Sequence, residues 1–392
     1  MTGKSKKLAA YVVEDEGVAQ YRYRVKNVAE ALSEFGSEWK VEIYHKTELI
    51  NLTLDKIDLL VILRQTAKDD VVPGYVMEAR DKGIPVVMDL DDLVFSYKDL
   101  ALVMQATGSR NPLYWLGYVW GIRRIATKVN GFISTNDFLG EKLSKCFSRP
   151  YGTIRNSLNR KQVEVAEKCV RGKERPAKKN ESMQKGEGEG QSKKGHDEFV
   201  VGYFSGSPTH ARDFALIEDE LVRFLNAHED AKLIVVGYMK FSEKMGELVK
   251  AGKVERRELV DHAKLGRLIA EVDVNIAPLV INDFTNAKSE LKYFEAGVVE
   301  TVTVASPSYT YARAIKDGEN GFLADANEWY EKLEYLYENR KVGEQVAERA
   351  REDALNRYYG KAIANEAEEA YNKLLQICKK DDEGRGEKED RA

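Results

Sequence analysis

The chain has 392 residues, 43% of them hydrophobic and 32% charged, which is too long for one ordinary domain and suits two. Its 61 basic and 65 acidic residues leave a net charge of −4, so no basic excess points to a nucleic-acid partner. No apolar run reaches the ~18 residues that a membrane-spanning helix needs. Cys146, Cys169 and Cys378 are scattered, with no CxxC and no Cys/His cluster, which supports neither a disulfide framework nor a structural zinc site. They read as free thiols in a reducing compartment. The amino-terminal MTGKSKKLAAYVVEDE is basic and then only briefly apolar, too short for a signal peptide. The expected location is therefore the cytoplasm.

In chain order, LAAYVV (8–13) reads as a strand and 21–35 as an amphipathic helix carrying Val25, Val28, Ala29, Leu32 and Phe35 on one face. WKVEIYH, IDLLVILR and IPVVMDL read as further strands. Helices follow over 71–82 and 112–129, and GFIST and FLGEKLSKCF are another strand and helix. Continuously apolar runs such as LLVIL and PVVM, alternating with helices, imply a parallel sheet covered on both faces. Residues 171–197 are rich in Lys, Glu and Gly and nearly devoid of large apolar side chains. They read as a disordered insertion or linker, with a binding tail as the alternative. A second α/β unit begins at FVVGYFS. It continues through a helix over 210–228, AKLIVVG, a helix over 242–251, VDVNIAPL, a helix from Ala287 to Ala296, and VTVAS. Residues 325–378 read as helical, and the tail after Lys379 as disordered. The domains expected are 1–170, 198–360, a helix over 361–379 that packs back on the first domain, and a tail over 380–392.

In open α/β sheets ligands bind beyond the carboxyl ends of the strands, so the residues there are the candidates. After the first strand of the second unit come Ser205, Gly206, Ser207, Pro208, Thr209 and His210. These are either an anion cradle of backbone amides at a helix start, or an ordinary turn with Thr209 as N-cap. After VDVNIAPL, the residues Asn286, Lys288 and Ser289 open a helix, and Glu295 falls seven residues beyond Lys288 on about the same face. A lysine there can neutralise phosphate and a carboxylate can accept two hydrogen bonds from ribose hydroxyls; the alternative is a solvated helix face. In the first unit PVVM runs into Asp89, Leu90, Asp91 and Asp92. Three carboxylates at one strand end need a cationic answer. Metal ligands, acid/base or sugar-binding groups, and N-capping all remain open. Arg22 and Arg24, at the start of the first helix, either pair with an acidic ligand or with these aspartates, or are simply solvated. The aromatic PLYWLGYVWGIRR (112–124) is either a membrane-facing or lipid-acceptor surface or a core helix.

VVGYFSGSPTHARDF, APL followed by NAKSELKYFEAG, and TVASPSYTYARAIKDGENGFLA together resemble the donor-binding half of family 4 glycosyltransferases. YRYRVKNVAEAL, VVMDLDDLVF, NGFISTNDFLGEKL and IRNSLN fit the same picture over the first half. The stretches are similar to those of bacterial enzymes that build O-antigen, rhamnan and other surface polysaccharides. The resemblance spans roughly 8–370, apart from the charged insertion. It implies a GT-B fold, with two Rossmann-like parallel-sheet domains facing across a cleft and C-terminal helices crossing back. It also implies transfer from a nucleoside-diphosphate sugar to a glycan or lipid-linked acceptor, with retention of configuration, no essential metal and no cofactor, and with peripheral contact at the inner membrane face.

Glu295 matches the second glutamate of the family's Glu-x7-Glu motif, the ribose-binding one. Where the first belongs, this chain has Ala287, and Asn286 and Lys288 are the candidates to replace it. Arg212 and Lys288 are the nearest cations for the diphosphate, beside Ser205, Gly206, Ser207, His210 and Ser289. Asp91 and Asp92 fall to the reacting sugar or acceptor hydroxyl, with Lys288 as a third catalytic candidate; Arg22 and Arg24 fall to the acceptor side. A non-catalytic nucleotide-sugar- or glycan-binding relative and a nucleotide-sugar epimerase are the alternative functions.

Overall fold

The computed structural model describes residues 5–67, 70–179, 198–206 and 211–389. The chain divides into two compact units. The first comprises 1–159, 282–289 and 356–392, and the second 160–281 and 290–355. Each is an α/β unit built on a six-stranded, all-parallel sheet.

The first sheet contains β1 (Lys7–Val13), β2 (Trp39–His45), β3 (Leu59–Leu63), β4 (Val86–Leu90), β5 (Gly131–Ser134) and β6 (Tyr151–Thr153), in the order β2-β1-β3-β4-β5-β6. Side chains alternate across a strand, and β1 shows the consequence. Leu8, Ala10 and Val12 enter one apolar core, while Ala9, Tyr11 and Val13 enter another on the opposite face. The second core is closed by the helix Lys361–Glu389, which presents Ile363, Ala364, Ala367, Ala370, Tyr371 and Leu374 at helical spacing. The Tyr371 hydroxyl meets that of Tyr11 at 2.7 Å. A Cβ on Gly152 would come within 2.8 Å of the Ala370 methyl, so glycine permits this close approach.

The second sheet contains β7 (Phe199–Phe204), β8 (Ala231–Val236), β9 (Val254–Arg257), β10 (Val274–Ala277), β11 (Val302–Ala305) and β12 (Phe322–Leu323), in the order β12-β11-β10-β7-β8-β9. Burial of β7 is complete, as its apolar run requires. The strand order reverses between β1 and β3 in the first sheet and between β7 and β10 in the second. These two switch points are where an open α/β sheet offers a crevice at its strand ends.

Several boundaries differ from those expected. The leading segment of the first unit ends at Asn159, because the helix Arg160–Lys179 packs on the helix His262–Ile269 within the second unit. That helix also carries residues 171–179, assigned above to a disordered insertion. Its charged residues are good helix formers, and Arg171 pairs with Glu167 one turn back at 3.6 Å. Residues 180–197 lie outside the described residues. The terminal helix continues to Glu389, past the expected break at 379, and its Lys/Glu-rich end has the composition of an exposed helix. The helix expected over 210–228 is two, Ala211–Ala215 and Glu218–Ala227.

Candidate active site

In the first unit the chemistry collects at the carboxyl ends of β3, β4, β5 and β6. The first helix contains a π turn, Arg22–Lys26, a local widening often found at functional positions. Arg24 lies within that turn and is fully buried. Its guanidinium holds both oxygens of Asp89, also fully buried, at 2.9 and 3.1 Å. It donates further to the Ile154 carbonyl and to Asn156 Oδ1. Of the alternatives open for Arg24, the structure shows pairing with a strand-end aspartate, as a strut inside the unit, whereas Arg22 is half-buried beside the Tyr23 ring. Burial raises the Asp89 carboxyl to about 6; Arg24 pulls it down and Asp91 adds to the rise.

Beyond β4, Asp91 and Asp92 are answered by one guanidinium. Arg64, at the end of β3, donates through Nη1 to Asp91 at 3.0 Å and to Asp92 at 2.7 Å, and through Nε to the Tyr118 hydroxyl at 3.1 Å. Burial and the neighbouring Asp92 lift the Asp91 carboxyl above its ordinary value, against the pull of Arg64. Burial acts the same way on Asp92, but Lys288 and Arg64 outweigh it and the net shift is downward. Two adjacent carboxylates are thus driven apart, the pattern that separates a proton acceptor from a standing anion. Among the described residues no His, Cys, Asp and Glu cluster of three or more could hold a metal ion. Each aspartate of the strand end instead has a cationic partner. Arg64 escaped the sequence reading, although a lone arginine closing the apolar run LLVIL is the signal that could have found it.

Lys288 reaches Asp92 at 3.5 Å because its segment, 282–289, belongs to the first unit. Asn282 caps a short helix, Asp283–Asn286, in a capping box with Thr285. The next helix begins only at Leu291, so Lys288 and Glu295 do not share a helix face. Residues 287–290 separate the two helices, and the expected single helix from 287 is corrected accordingly. Phe284 and Ala287 enter the first unit's core, where Ala287 is fully buried. Asn136 donates to the Ala287 carbonyl at 3.0 Å, Asn156 donates to the Ser289 hydroxyl at 3.0 Å, and Lys142 pairs with Asp283 at 2.6 Å. A carboxylate at 287 would be buried among apolar side chains, which accounts for alanine there. Asn286 is half-buried in the same segment.

The low Asp92 carboxyl carries a pH signature. A group whose folded value is depressed contributes stability above its unfolded value, and that contribution is lost as pH falls through the folded one. Hydrogen exchange at the Ala287 and Lys288 amides is therefore expected to rise, beyond its intrinsic pH dependence, once the pH drops below about 4. Asp92→Asn should remove that excess. An acid response unchanged by Asp92→Asn would exclude the ion pair as its source.

In the second unit, Ser205 follows β7 and is buried, with its amide donating to the Val236 carbonyl at 2.9 Å. Gly237 adopts a positive φ of 97°, and a Cβ there would lie 2.1 Å from the Ser205 carbonyl oxygen, so only glycine lets the two strand ends meet. Gly206 is exposed, Ser207 and His210 lie outside the described residues, and Arg212 is exposed. Asp213, on the helix Ala211–Ala215, accepts from the Val280 amide at 3.0 Å beyond β10, and the Ser306 hydroxyl accepts from the Leu279 amide at 3.0 Å, tying the ends of β10 and β11 together. Glu295 is buried on the helix Leu291–Gly297, with Gln162 Nε2 at 3.4 Å and His262 Nδ1 at 3.7 Å from its Oε1. Burial, with Glu290, Glu295 and Asp213 nearby, pushes the Tyr311 hydroxyl far up. Glu290, His262 and Tyr311 are thus part of this polar cluster and carry no local motif that marks them.

Residues 199–339 match the family described as Glycosyl transferases group 1. The match lies mostly in the second unit, and Ser205, Gly206, Arg212 and Glu295 all fall within it. The fold is shared more widely. A structure of HepE from Anabaena in complex with UDP and glucose superposes with a TM-score of 0.61 at 13% identity, over 94% of this chain and 100% of that one. Sucrose-phosphate synthase from Thermosynechococcus elongatus gives 0.60 at 14% identity, over 95% and 100%. A glycosyltransferase from Rickettsia africae gives 0.62 at 13% identity, over 95% and 99%. With two six-stranded parallel sheets and these neighbours, the chain has the GT-B fold. A search of the curated proteins finds no match.

Proposed function

We propose that this chain is a family 4, retaining glycosyltransferase that needs no metal. It moves a sugar from a nucleoside-diphosphate donor to a hydroxyl of a glycan or lipid-linked acceptor in surface-polysaccharide synthesis. The observation that carries the reading is Glu295, a buried carboxylate flanked by His262 and Gln162 inside the group 1 glycosyltransferase domain. A carboxylate presents two acceptor oxygens, which suits the paired hydroxyls of a ribose. The Gly206 amide beyond β7, with Arg212, takes the diphosphate, whose charge grows as the glycosidic bond breaks; the Ser205 amide is already committed to the Val236 carbonyl. In the first unit Asp91 and Asp92 take the acceptor hydroxyl, and Lys288, expected on the donor side, is assigned with them because Asp92 holds it. Among the described residues no helix is long and apolar enough to cross a membrane, so contact with a lipid-linked acceptor would be peripheral.

Thermal-shift screening against UDP-, GDP-, dTDP- and CDP-sugars tests the reading, since a ligand that binds only the folded state raises the melting temperature. One donor class is expected to stabilise the protein. Glu295→Ala should weaken that donor by roughly 10- to 100-fold, the loss of hydrogen bonds to a charged group. A folded Glu295→Ala protein with undiminished donor affinity would remove Glu295 from the site.

A further inference from the structure

The first sheet has its own crevice at its topological switch point. A cavity of about 790 Å³ opens where β1 ends in Glu14 and Asp15 and β3 ends in Arg64. Its far wall is the helix Pro112–Ala126, which contributes Tyr114, Gly117, Tyr118, Trp120 and Gly121. The volume falls in the roughly 300–1,000 Å³ range of small-molecule sites. We propose that this cavity is a subsite for uncharged sugar rings of the acceptor, a reading that rests on the glycosyltransferase assignment above.

Three observations carry it. First, the wall exposes aromatic rings that nothing in the core requires. Trp115, Val119, Ile122 and Ile125 bury one face of the helix, while Tyr114 and Trp120 remain 57% and 55% exposed. A sugar ring has an apolar face that packs on such rings and a rim of hydroxyls that needs acceptors; Glu14 and Asp15 stand at the rim. Second, Gly117 sits within the helix although no atom lies within 4 Å of where its Cβ would be. Glycine is a poor helix former, and packing does not demand it here. Gly121, one turn on, differs: its Cβ would meet Thr66 at 3.0 Å, so it seats the helix against the loop after β3. Gly117 keeps the cavity open. Third, the cavity adjoins the Asp91–Arg64–Asp92 cluster through Arg64 and Tyr118, which are hydrogen-bonded to each other. A ligand held here is next to the groups assigned to the acceptor hydroxyl.

The charges favour a glycan over an anionic membrane surface. Arg64 is committed to Asp91 and Asp92, and Glu14 is paired with Lys46. On the helix itself Arg124 pairs with Asp70 and donates to the Ala67 carbonyl, and Arg123 donates to the Phe95 carbonyl. Among the described residues of this face, Arg64, Arg123 and Arg124 are committed to partners within the unit and Arg110 is the exposed exception, fewer uncommitted cations than the basic rim of an interfacial helix.

The test is direct binding without donor, read by tryptophan fluorescence. The probes are neutral trisaccharides of glucose, mannose, galactose and N-acetylglucosamine, an anionic one (trigalacturonate), and anionic phosphatidylglycerol vesicles. At least one neutral trisaccharide is expected to bind in the roughly millimolar range. Trp120→Ala and Gly117→Leu should each weaken it by about tenfold or more. Gly117→Ala should retain binding and raise the melting temperature, which shows that the helix tolerates a side chain and that only bulk blocks the cavity. The proposal is overturned if no neutral trisaccharide binds, if both Trp120→Ala and Gly117→Leu bind normally, or if trigalacturonate binds equally well. Capture by the vesicles that depends on Trp120 would overturn it too and make the helix a membrane contact. Donor binding, tested through Glu295, is a separate measurement, so loss of this subsite leaves that reading standing and the reverse also holds.

Discussion

Asp89→Ala is expected to destabilise the first unit by about 3–5 kcal/mol, the usual result of leaving a buried charge without its partner. Arg24 and Asp89 are both fully buried, so water cannot replace the lost carboxylate. The remaining contacts of Arg24, to the Ile154 carbonyl and Asn156, are to neutral groups. The double variant Arg24→Met with Asp89→Leu removes both charges and should recover most of the loss, since apolar residues of similar volume often replace a buried pair without penalty. Urea titration followed through the buried Trp39 of the first unit reads the transition. If the single and double variants lose the same amount, the pair is not a coupled unit and the strut interpretation fails.

The second large effect is on chemistry. Asp91→Asn should lower transfer by roughly 10²- to 10⁴-fold, the range for removing a proton-transfer group, while leaving donor binding unchanged. Asp91 is the better proton acceptor of the adjacent pair because burial and Asp92 raise it, whereas Lys288 and Arg64 hold Asp92 low. The sign follows. Transfer rises with pH as Asp91 loses its proton, so the acid limb of the rate profile lies above the ordinary aspartate value. Asparagine keeps the acceptor oxygen that faces Arg64, so the cluster's geometry survives the substitution. Asp92→Asn should keep an acid limb but shift it to lower pH, because it removes the neighbouring charge that lifts Asp91. A profile whose acid limb persists in Asp91→Asn would assign that titration elsewhere.

The two roles were written into the chain with unequal clarity. The run VVMDLDD shows carboxylates at a strand end, and strand ends are where sites form, so Asp91 and Asp92 were legible as candidates. What neutralises them was not. Arg64 lies 27 residues before Asp91, and Lys288 lies 196 residues after Asp92. Both reach the aspartates only because β3 neighbours β4 and because 282–289 docks on the first unit. Ala287 is the same lesson in reverse. Against a family motif it stands as a missing glutamate, yet in the structure it is a buried methyl in an apolar core.

The alternation of apolar runs with helical patterns was enough to establish two parallel-sheet α/β units, since a strand covered on both faces must be apolar along its whole length. Charge balance and scattered cysteines likewise needed no coordinates. Strand order, the seating of 282–289, the π turn that turns Arg24 inward, and the cavity behind Tyr114 and Trp120 were decided by tertiary structure alone. Periodicity reports which face of an element is buried. It carries no information about which element lies against that face, and the site is made of such pairings.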